Sequence, residues 1–220
     1  MKPNRWWTPT LAPALVLLAL GTFSTDAMAA TPDPTSTTLA PAPEVVVSGR
    51  LWVTGGSTVR SWECEAERLD VRVNLAGGQD DLRLETIENG VRGVELHASA
   101  PEMDCDNDTM NDHMWDALGA RDHGWISFRM TGYELTPSQE ADTGLRISGT
   151  LEMKGERRDV VLDATLAAQA DGSFALKGMH ELNMTDWGIR PPRLMLGTLR
   201  VHEDVQVHWD LTMRVNGSDH

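Results

Sequence analysis

The sequence predicts an all-β fold: eight antiparallel strands forming a barrel, with one amphipathic α-helix inserted between strands three and four. Three observations lead there. From residue 44 to about residue 215, apolar side chains recur mostly with a period of two, the pattern of strands with one dry and one wet face. The clearest case is the last run, where Val205, Val207, Trp209, Leu211, Met213 and Val215 alternate with Gln206, His208, Asp210, Thr212 and Arg214. Short turn-forming runs, KGE (154–156) and ADGS (170–173), join successive runs as tight hairpins. One segment alone changes period, with Met110, Met114 and Leu118 spaced by four and Trp115 beside them. Closing eight strands removes exposed edges and leaves room for packed side chains or one small ligand.

The elements follow in order. EVVVSGRLWV is the first strand. ECEAERLDVRVNLA is the second, with Leu69, Val71, Val73 and Leu75 on one face. GVRGVELHAS, shorter, is the third. The helix comes next over 108–120, with Asp106, Asn107 or Asp108 to cap its start and Gly119 or Gly124 to end it. WISFRMTGYEL is the fourth strand, and its alternation slips near Gly132, as at a bulge. GLRISGTLEM is the fifth, with Leu145, Ile147, Leu151 and Met153 inward; RRDVVLDATLAA is the sixth, with Val160, Leu162, Ala164 and Leu166 inward. SFALKGMHELNM is the seventh, with Phe174, Leu176, Leu182 and Met184 inward. The run Gly188-Ile189-Arg190-Pro191-Pro192 suits neither helix nor central strand, so a long ordered loop precedes the eighth strand. A bulky apolar loop over a barrel mouth suits an apolar cargo.

Outside this block (44–216) the chain reads differently. Residues 1–29 carry Lys2 and Arg5, a short apolar core and Ala27-Met28-Ala29, the pattern of a cleaved export signal. That core is too short for a permanent membrane anchor, which needs about 20 apolar residues. Residues 30–43 are a Pro/Thr/Ala linker expected to be disordered, and 217–220 a polar tail. A periplasmic or secreted location follows. The chain has 33 acidic against 19 basic residues, net −14, which disfavours nucleic acid as a partner. The two cysteines, Cys64 and Cys105, are expected to pair in an oxidising compartment and to pin the helix start to strand two.

Several stretches together resemble the YceI-like family of exported lipid-binding proteins: GGSTVRSWECEA, MDCDNDTMNDHMWDAL, SGTLEMKGERRDVVLDATL and, most specifically, MTDWGIRPPRLMLGTLRVHEDVQVHWDL. The resemblance spans roughly residues 47–215. It implies an extended lipocalin-like barrel around a long apolar tunnel for a polyisoprenoid, an isoprenoid quinone or a fatty amide, with no catalytic residues and no cofactor. Two features depart from the family pattern. DHGWISF places Gly124 and Trp125 at the approach to strand four, where a second Trp would narrow the mouth, and only some members carry the cysteine pair.

With that implied site, the candidate lining is Trp52, Trp62, Met110, Met114, Trp115, Leu118, Phe128, Met153, His180, Trp187, Ile189, Met195, Trp209 and Met213. Met is flexible and polarisable, suited to cavities that accept variable apolar shapes, but each of these Met side chains equally fits as core between helix and sheet. His180 has inward parity, as a polar spot in the lumen or as a hydrogen-bonded core residue; His202 and His208 have outward parity. Arg60, Arg190 and Arg193 are candidates for a lipid head group, or for pairing with local acids. The loop 186–197 and the helix are expected to form the tunnel mouth together, as a gate or as a fixed plug.

Other chemistries lack their motifs. Asp104-Cys105-Asp106-Asn107-Asp108 fails as an EF-hand, because Thr109 and Trp115 stand where Gly and Glu are needed. There is no H-E-x-x-H and no G-x-S-x-G. The expected function is therefore sequestering or carrying a long-chain lipid, with a packed-barrel periplasmic protein-interaction module as the alternative. The protein partner is unknown.

Overall fold

In the computed structural model, residues 44–77, 87–136 and 142–216 are described; the expected signal (1–29), linker (30–43) and tail (217–220) lie outside them. Among the described residues the chain forms eleven strands: β1 (Glu44–Ser57), β2 (Ser61–Ala66), β3 (Leu69–Leu75), β4 (Val91–Ser99), β5 (Met103–Asp104), β6 (Trp125–Thr136), β7 (Thr143–Met153), β8 (Glu156–Ala168), β9 (Phe174–Asn183), β10 (Arg193–Leu194) and β11 (Leu199–Asn216). Alternating sequence becomes alternating burial most clearly along β3 and β8. They form one antiparallel sheet in the order β3-β4-β6-β7-β8-β9-β11-β1-β2-β5, with β10 added on β11. The sheet curls into a lipocalin-like half-barrel.

The expected count of eight is corrected to eleven. The second predicted strand is broken at Glu67 and Arg68, whose backbones bond across to Glu102 and Ser99 instead of continuing a ladder. The two halves then serve opposite ends of the sheet: β2 pairs with β1 and β5, while β3 pairs with β4. β3 comes back beside β1, but no ladder joins them among the described residues. The remaining additions, β5 and β10, are two-residue strands too short to show a period.

Local chemistry sets the connections. Lys154 (φ 52°) and Gly155 (φ 81°) form the two-residue turn between β7 and β8, both left-handed as a type I′ hairpin requires. Asp171 accepts from the Ser173 amide (3.1 Å) and hydroxyl (2.6 Å) in the β8–β9 turn. The slip expected near Gly132 is a register shift between Met130 and Gly132.

Helix α1 (Ile87–Gly90) is a single turn, and α2 (Asp108–Leu118) is the inserted amphipathic helix. Asn107 caps α2, its side chain accepting from the Met110 amide at 3.0 Å, and Gly119 ends it in the left-handed conformation (φ 65°) that glycine adopts without a Cβ clash. The neighbouring acids serve the same start: Asp104 accepts from the Asp106 amide (3.1 Å) and the Asn111 side chain (2.8 Å). The Cys64–Cys105 disulfide ties β2 to the residue that follows β5, three positions before α2.

Two buried clusters close the barrel at different places. One gathers Cys64, Met103, Cys105, Leu118, Met184, Trp187 and Ile189 under α2. The other gathers Val45, Ile87, Leu145, Leu166, Phe174, Trp209 and Leu211. There the Tyr133 hydroxyl donates to the Ile87 carbonyl and accepts from the Val91 amide (3.2 Å), fixing α1 to the wall.

Two predictions follow from these constraints. Reducing the disulfide frees a 41-residue loop, which on loop-closure grounds removes about 4 kcal/mol. The melting temperature is expected to fall by roughly 10 °C, read by circular dichroism with and without reductant; an unchanged midpoint with both thiols demonstrably free would contradict it. Gly178 faces Trp209 across the β9–β11 ladder, and a Cβ there would stand 2.2 Å from the indole and 2.8 Å from the Asp163 carbonyl. Gly178→Val should therefore destabilise by about 1–3 kcal/mol, whereas Val161→Thr, on the exposed face, should change stability by less than about 0.5 kcal/mol. Equal denaturation midpoints for the two variants would refute the close-packing argument.

Candidate functional site: an apolar cavity and its antechamber

Inward-facing residues from nearly every long strand leave a hollow between the two clusters. The cavity measures about 230 Å³. Its wall is made of inward residues such as Val71, Leu96, Ile147, Val160, Leu176, Val207 and Leu211, closed toward α2 by Met114, Leu118, Met184 and Ile189. His180 is the one ionisable side chain in this lining. A second hollow of about 130 Å³ lies against α2, lined by Ser57, Arg60, Trp62, the disulfide, Met110, His113, Met114, Ala117, Met184, Pro192, Leu194, Leu199 and Val201. Trp62, Met114 and Met184 border both, so they form a partition between lumen and antechamber.

The sequence candidates distribute unevenly over this geometry. Trp62, Met114, Leu118, Phe128, Met153, His180, Ile189, Trp209 and Met213 line the main cavity, and Met110 lines the antechamber. The Trp62 ring lies on Gly55, where an added Cβ would stand 2.2 Å from it, and its N–H donates to the Gly56 carbonyl at 3.3 Å.

Trp52 meets the main cavity as expected, whereas Trp115 and Trp187 line neither hollow. Trp52 borders the cavity, but its ring is on the outer face of β1, stacked on His208 at 5.2 Å and under the Arg50 guanidinium at 5.0 Å. The reason is parity: Leu51 and Val53 take the inward positions. Trp115 donates to the Met103 carbonyl (3.0 Å) and packs as core rather than lining either hollow. Trp187 is 4% exposed, with its N–H toward the Leu151 carbonyl (3.5 Å) and Arg158 over its ring. The side chain of Met195 lies outside the described residues. Trp125 does not narrow the mouth: it is 42% exposed, with Arg68 over its face and His97 at its edge.

Of the candidate head-group residues, Arg60 lines the antechamber with its guanidinium 3.4 Å from the Met110 sulfur. Arg190 and Arg193 are exposed and outside both linings. His208 faces outward, as parity required, with its Nε2 3.0 Å from the Thr54 hydroxyl. Burial in the apolar wall pushes the His180 imidazole below the usual histidine value, opposed by the carboxylates of Asp163 and Glu181. Of the antechamber residues contributed by 57–62 and 192–201, the sequence marked Arg60, Trp62 and, within the expected mouth loop 186–197, Pro192 and Leu194, but not Ser57, Leu199 or Val201. The two-residue strand that brings Leu194 opposite Leu199 leaves no periodic signal.

Chemically the main cavity is an apolar container. Among the described residues the two linings hold no paired nucleophile and base, and what they offer a guest is apolar surface, flexible Met side chains at the partition and one arginine, Arg60, at the outer chamber.

Comparison with known proteins agrees with this architecture. The fold matches Burkholderia cenocepacia BcnA with a TM-score of 0.60 at 14% identity, covering 74% of this chain and 95% of that one. It also matches a polyisoprenoid binding domain from Saccharophagus degradans implicated in plant cell wall breakdown (TM-score 0.57, 10% identity, 78% and 98% covered). A Campylobacter jejuni YceI protein matches with a TM-score of 0.51 at 14% identity, covering 70% and 85%. None of the curated proteins matches. At these identities the structural likeness speaks for the fold. The sequence itself matches the YceI-like domain over residues 33–213, most of its length, and the chain belongs to the YceI-like family.

Proposed function

We propose that the protein binds a long-chain apolar lipid of the polyisoprenoid class in the barrel interior, and that it does so as an exported carrier or sequestering protein rather than as an enzyme. The observation that carries this reading is the hollow itself. Protein interiors are close-packed, with few voids larger than a water molecule, and an apolar cavity of 150 Å³ already stays dry and takes up benzene. A lumen of about 230 Å³ lined almost wholly by hydrocarbon exceeds that, which weighs against a packed-barrel interaction module. The polyisoprenoid-binding domain that shares this fold supports the choice of ligand class. Export is supported by the signal-like residues 1–29 and by the disulfide. Burying about ten methylenes contributes roughly 8 kcal/mol, which corresponds to about micromolar binding before ordering costs are subtracted. Native mass spectrometry of protein purified gently from cells should show a co-purifying apolar species; a uniformly ligand-free mass, together with no uptake of added prenol, would sink the proposal.

Met153, buried at the end of β7, lines the lumen. Met153→Trp should displace about two chain methylenes and weaken lipid binding on the order of tenfold in a protein that still melts cooperatively. Unchanged affinity in the folded variant would remove β7 from the site.

His180 gives the cavity a pH dependence of known sign. Its folded pKa lies below the ordinary 6.5. The unfolded chain therefore takes up the proton first as pH falls, so the stability held by the neutral ring is full above about pH 6.5 and lost as pH drops through the lowered folded value. Protonation also places a cation in the lipid-facing wall. Stability and lipid affinity should both decline from pH 7 to 5, and His180→Leu should flatten the two slopes. Parallel pH profiles for parent and variant would show that His180 contributes neither.

A further inference from the structure

The antechamber is walled on its outer side by two segments that hold each other. The Thr58 amide donates to the Arg200 carbonyl (3.0 Å), its hydroxyl donates to the Thr198 carbonyl (3.0 Å), and the Arg200 amide returns to the Thr58 hydroxyl (3.2 Å). Together, the 57–60 loop and the 190–200 flap form a tip. It has two features that a soluble barrel would ordinarily avoid.

The first is exposed hydrocarbon. Val59 is 69% exposed, and Leu196 is exposed to 108% of its reference area, the most exposed large apolar residue described. Leu196 also sits in the left-handed region (φ 55°, ψ 28°), which costs a branched side chain energy and keeps it pointing away from the barrel.

The second is unneutralised positive charge in a chain of net −14. Arg193 and Arg200 are direct cross-strand partners, a like-charge arrangement that destabilises a ladder. Arg60, Arg190, Arg193 and Arg200 make no ion pair with a carboxylate among the described residues; Arg200 donates instead to the Gly197 carbonyl at 2.9 Å. On the wall, by contrast, Arg50, Arg146 and Lys177 each hold an acid.

We propose that this tip is a docking face for anionic lipid bilayers, with Leu196 and Val59 entering the interfacial layer and the four arginines meeting lipid phosphates. Apolar side chains ringed by cations match the two terms that drive interfacial binding, buried hydrocarbon and attraction to anionic head groups. Screening over about 8 Å at physiological salt leaves the tip charges to dominate at contact. The net negative charge of the chain as a whole favours approach through this basic tip. Docking here presents the antechamber directly to the membrane, and that consequence, though not the docking itself, rests on the lipid-carrier reading.

The test uses the chain as a bacterial host expresses and processes it, co-sedimented at low salt with vesicles of phosphatidylglycerol and phosphatidylcholine in equal parts, and with phosphatidylcholine alone. Association is expected with the anionic vesicles only, falling by roughly tenfold or more in Arg193→Glu/Arg200→Glu and again in Leu196→Asp. These positions are exposed, so the melting curves of the variants should overlay the parent's. Failure to bind anionic vesicles, equal binding to both vesicle types, or unaltered binding by the variants overturns the proposal. So does a parent that sediments as a dimer and is split by Leu196→Asp, since a second copy would then cover the tip. Vesicle association is read without cargo, so absence of a bound lipid would defeat the carrier reading alone and leave this result standing.

Discussion

Because β11 is hydrogen-bonded to β1 on one side and to β9 on the other, the register of this single strand decides which face of the barrel is dry. Side chains alternate with a period of two, so a slip of one residue would exchange Val205, Val207, Trp209, Leu211 and Met213 for Gln206, His208, Asp210 and Thr212 in the lumen. The same slip would break the outer-face contacts: Trp52 would lose its His208 stack, and Lys177 would lose Asp210. Apolar and polar faces thus enforce one register from opposite sides. The cavity wall depends on that agreement, since β7, β8 and β9 are joined by hairpins, inherit their parity from each other and meet β11 through β9.

A correctly registered barrel could still have filled itself. The bulky rings on the inner wall avoid this by lying flat on glycine. Trp209 covers Gly178, Trp62 covers Gly55, and Phe128 covers Gly149, each ring within 2.4 Å of where a Cβ would be. A ring laid over a glycine buries its face against backbone and stays out of the lumen. Pairing large with absent side chains keeps the wall thin and the space open, while the two clusters at the ends supply ordinary close packing. The lining is then mostly aliphatic, a surface that accepts a flexible chain without demanding a particular shape.

Much of this was legible in the sequence because it is local. The period of two marked the inward sets of β7, β8 and β9, the slip at Gly132 marked a bulge, and the cap candidates 106–108 and Gly119 or Gly124 bounded the helix, of which the structure uses Asn107 and Gly119. Pairing of the only two cysteines needed no geometry. What was not legible depends on partners far along the chain. The break at Glu67 and Arg68 has no glycine or proline to mark it; it arises because β2 and β3 are claimed by neighbours at opposite ends of the sheet. Trp52, Trp115 and Trp187 were placed in the lining because they are large and apolar. Trp52 borders the cavity with its ring on the outer face, and the other two found backbone carbonyls for their N–H groups, which a buried indole needs and an apolar lumen does not offer. The antechamber was legible in part: the period-four stripe marked Met110 and Met114 and the mouth loop marked Leu194, while Ser57, Leu199 and Val201 come from a loop and the start of a strand with no periodic trace of their own.

The two ends of the barrel differ in how their described residues are tied together. At the α1 end, Tyr133 ties Ile87 and Val91 together through one hydroxyl, inside a cluster of large side chains drawn from β1, β7, β8, β9 and β11. Opening there would strand buried backbone groups and separate several strands at once. At the other end, α2 is pinned by the disulfide and by Lys154, which donates to the Ala117 carbonyl at 2.9 Å. The flap beside it is held by two residue pairs to β11, one backbone bond from Val201 to Pro192, and the contacts of Thr58. Segments with few buried contacts and few hydrogen bonds open at the least cost. Among the described contacts, the flap beside the Trp62–Met114–Met184 partition is thus the less firmly tied part of this end, and α2 the more firmly tied.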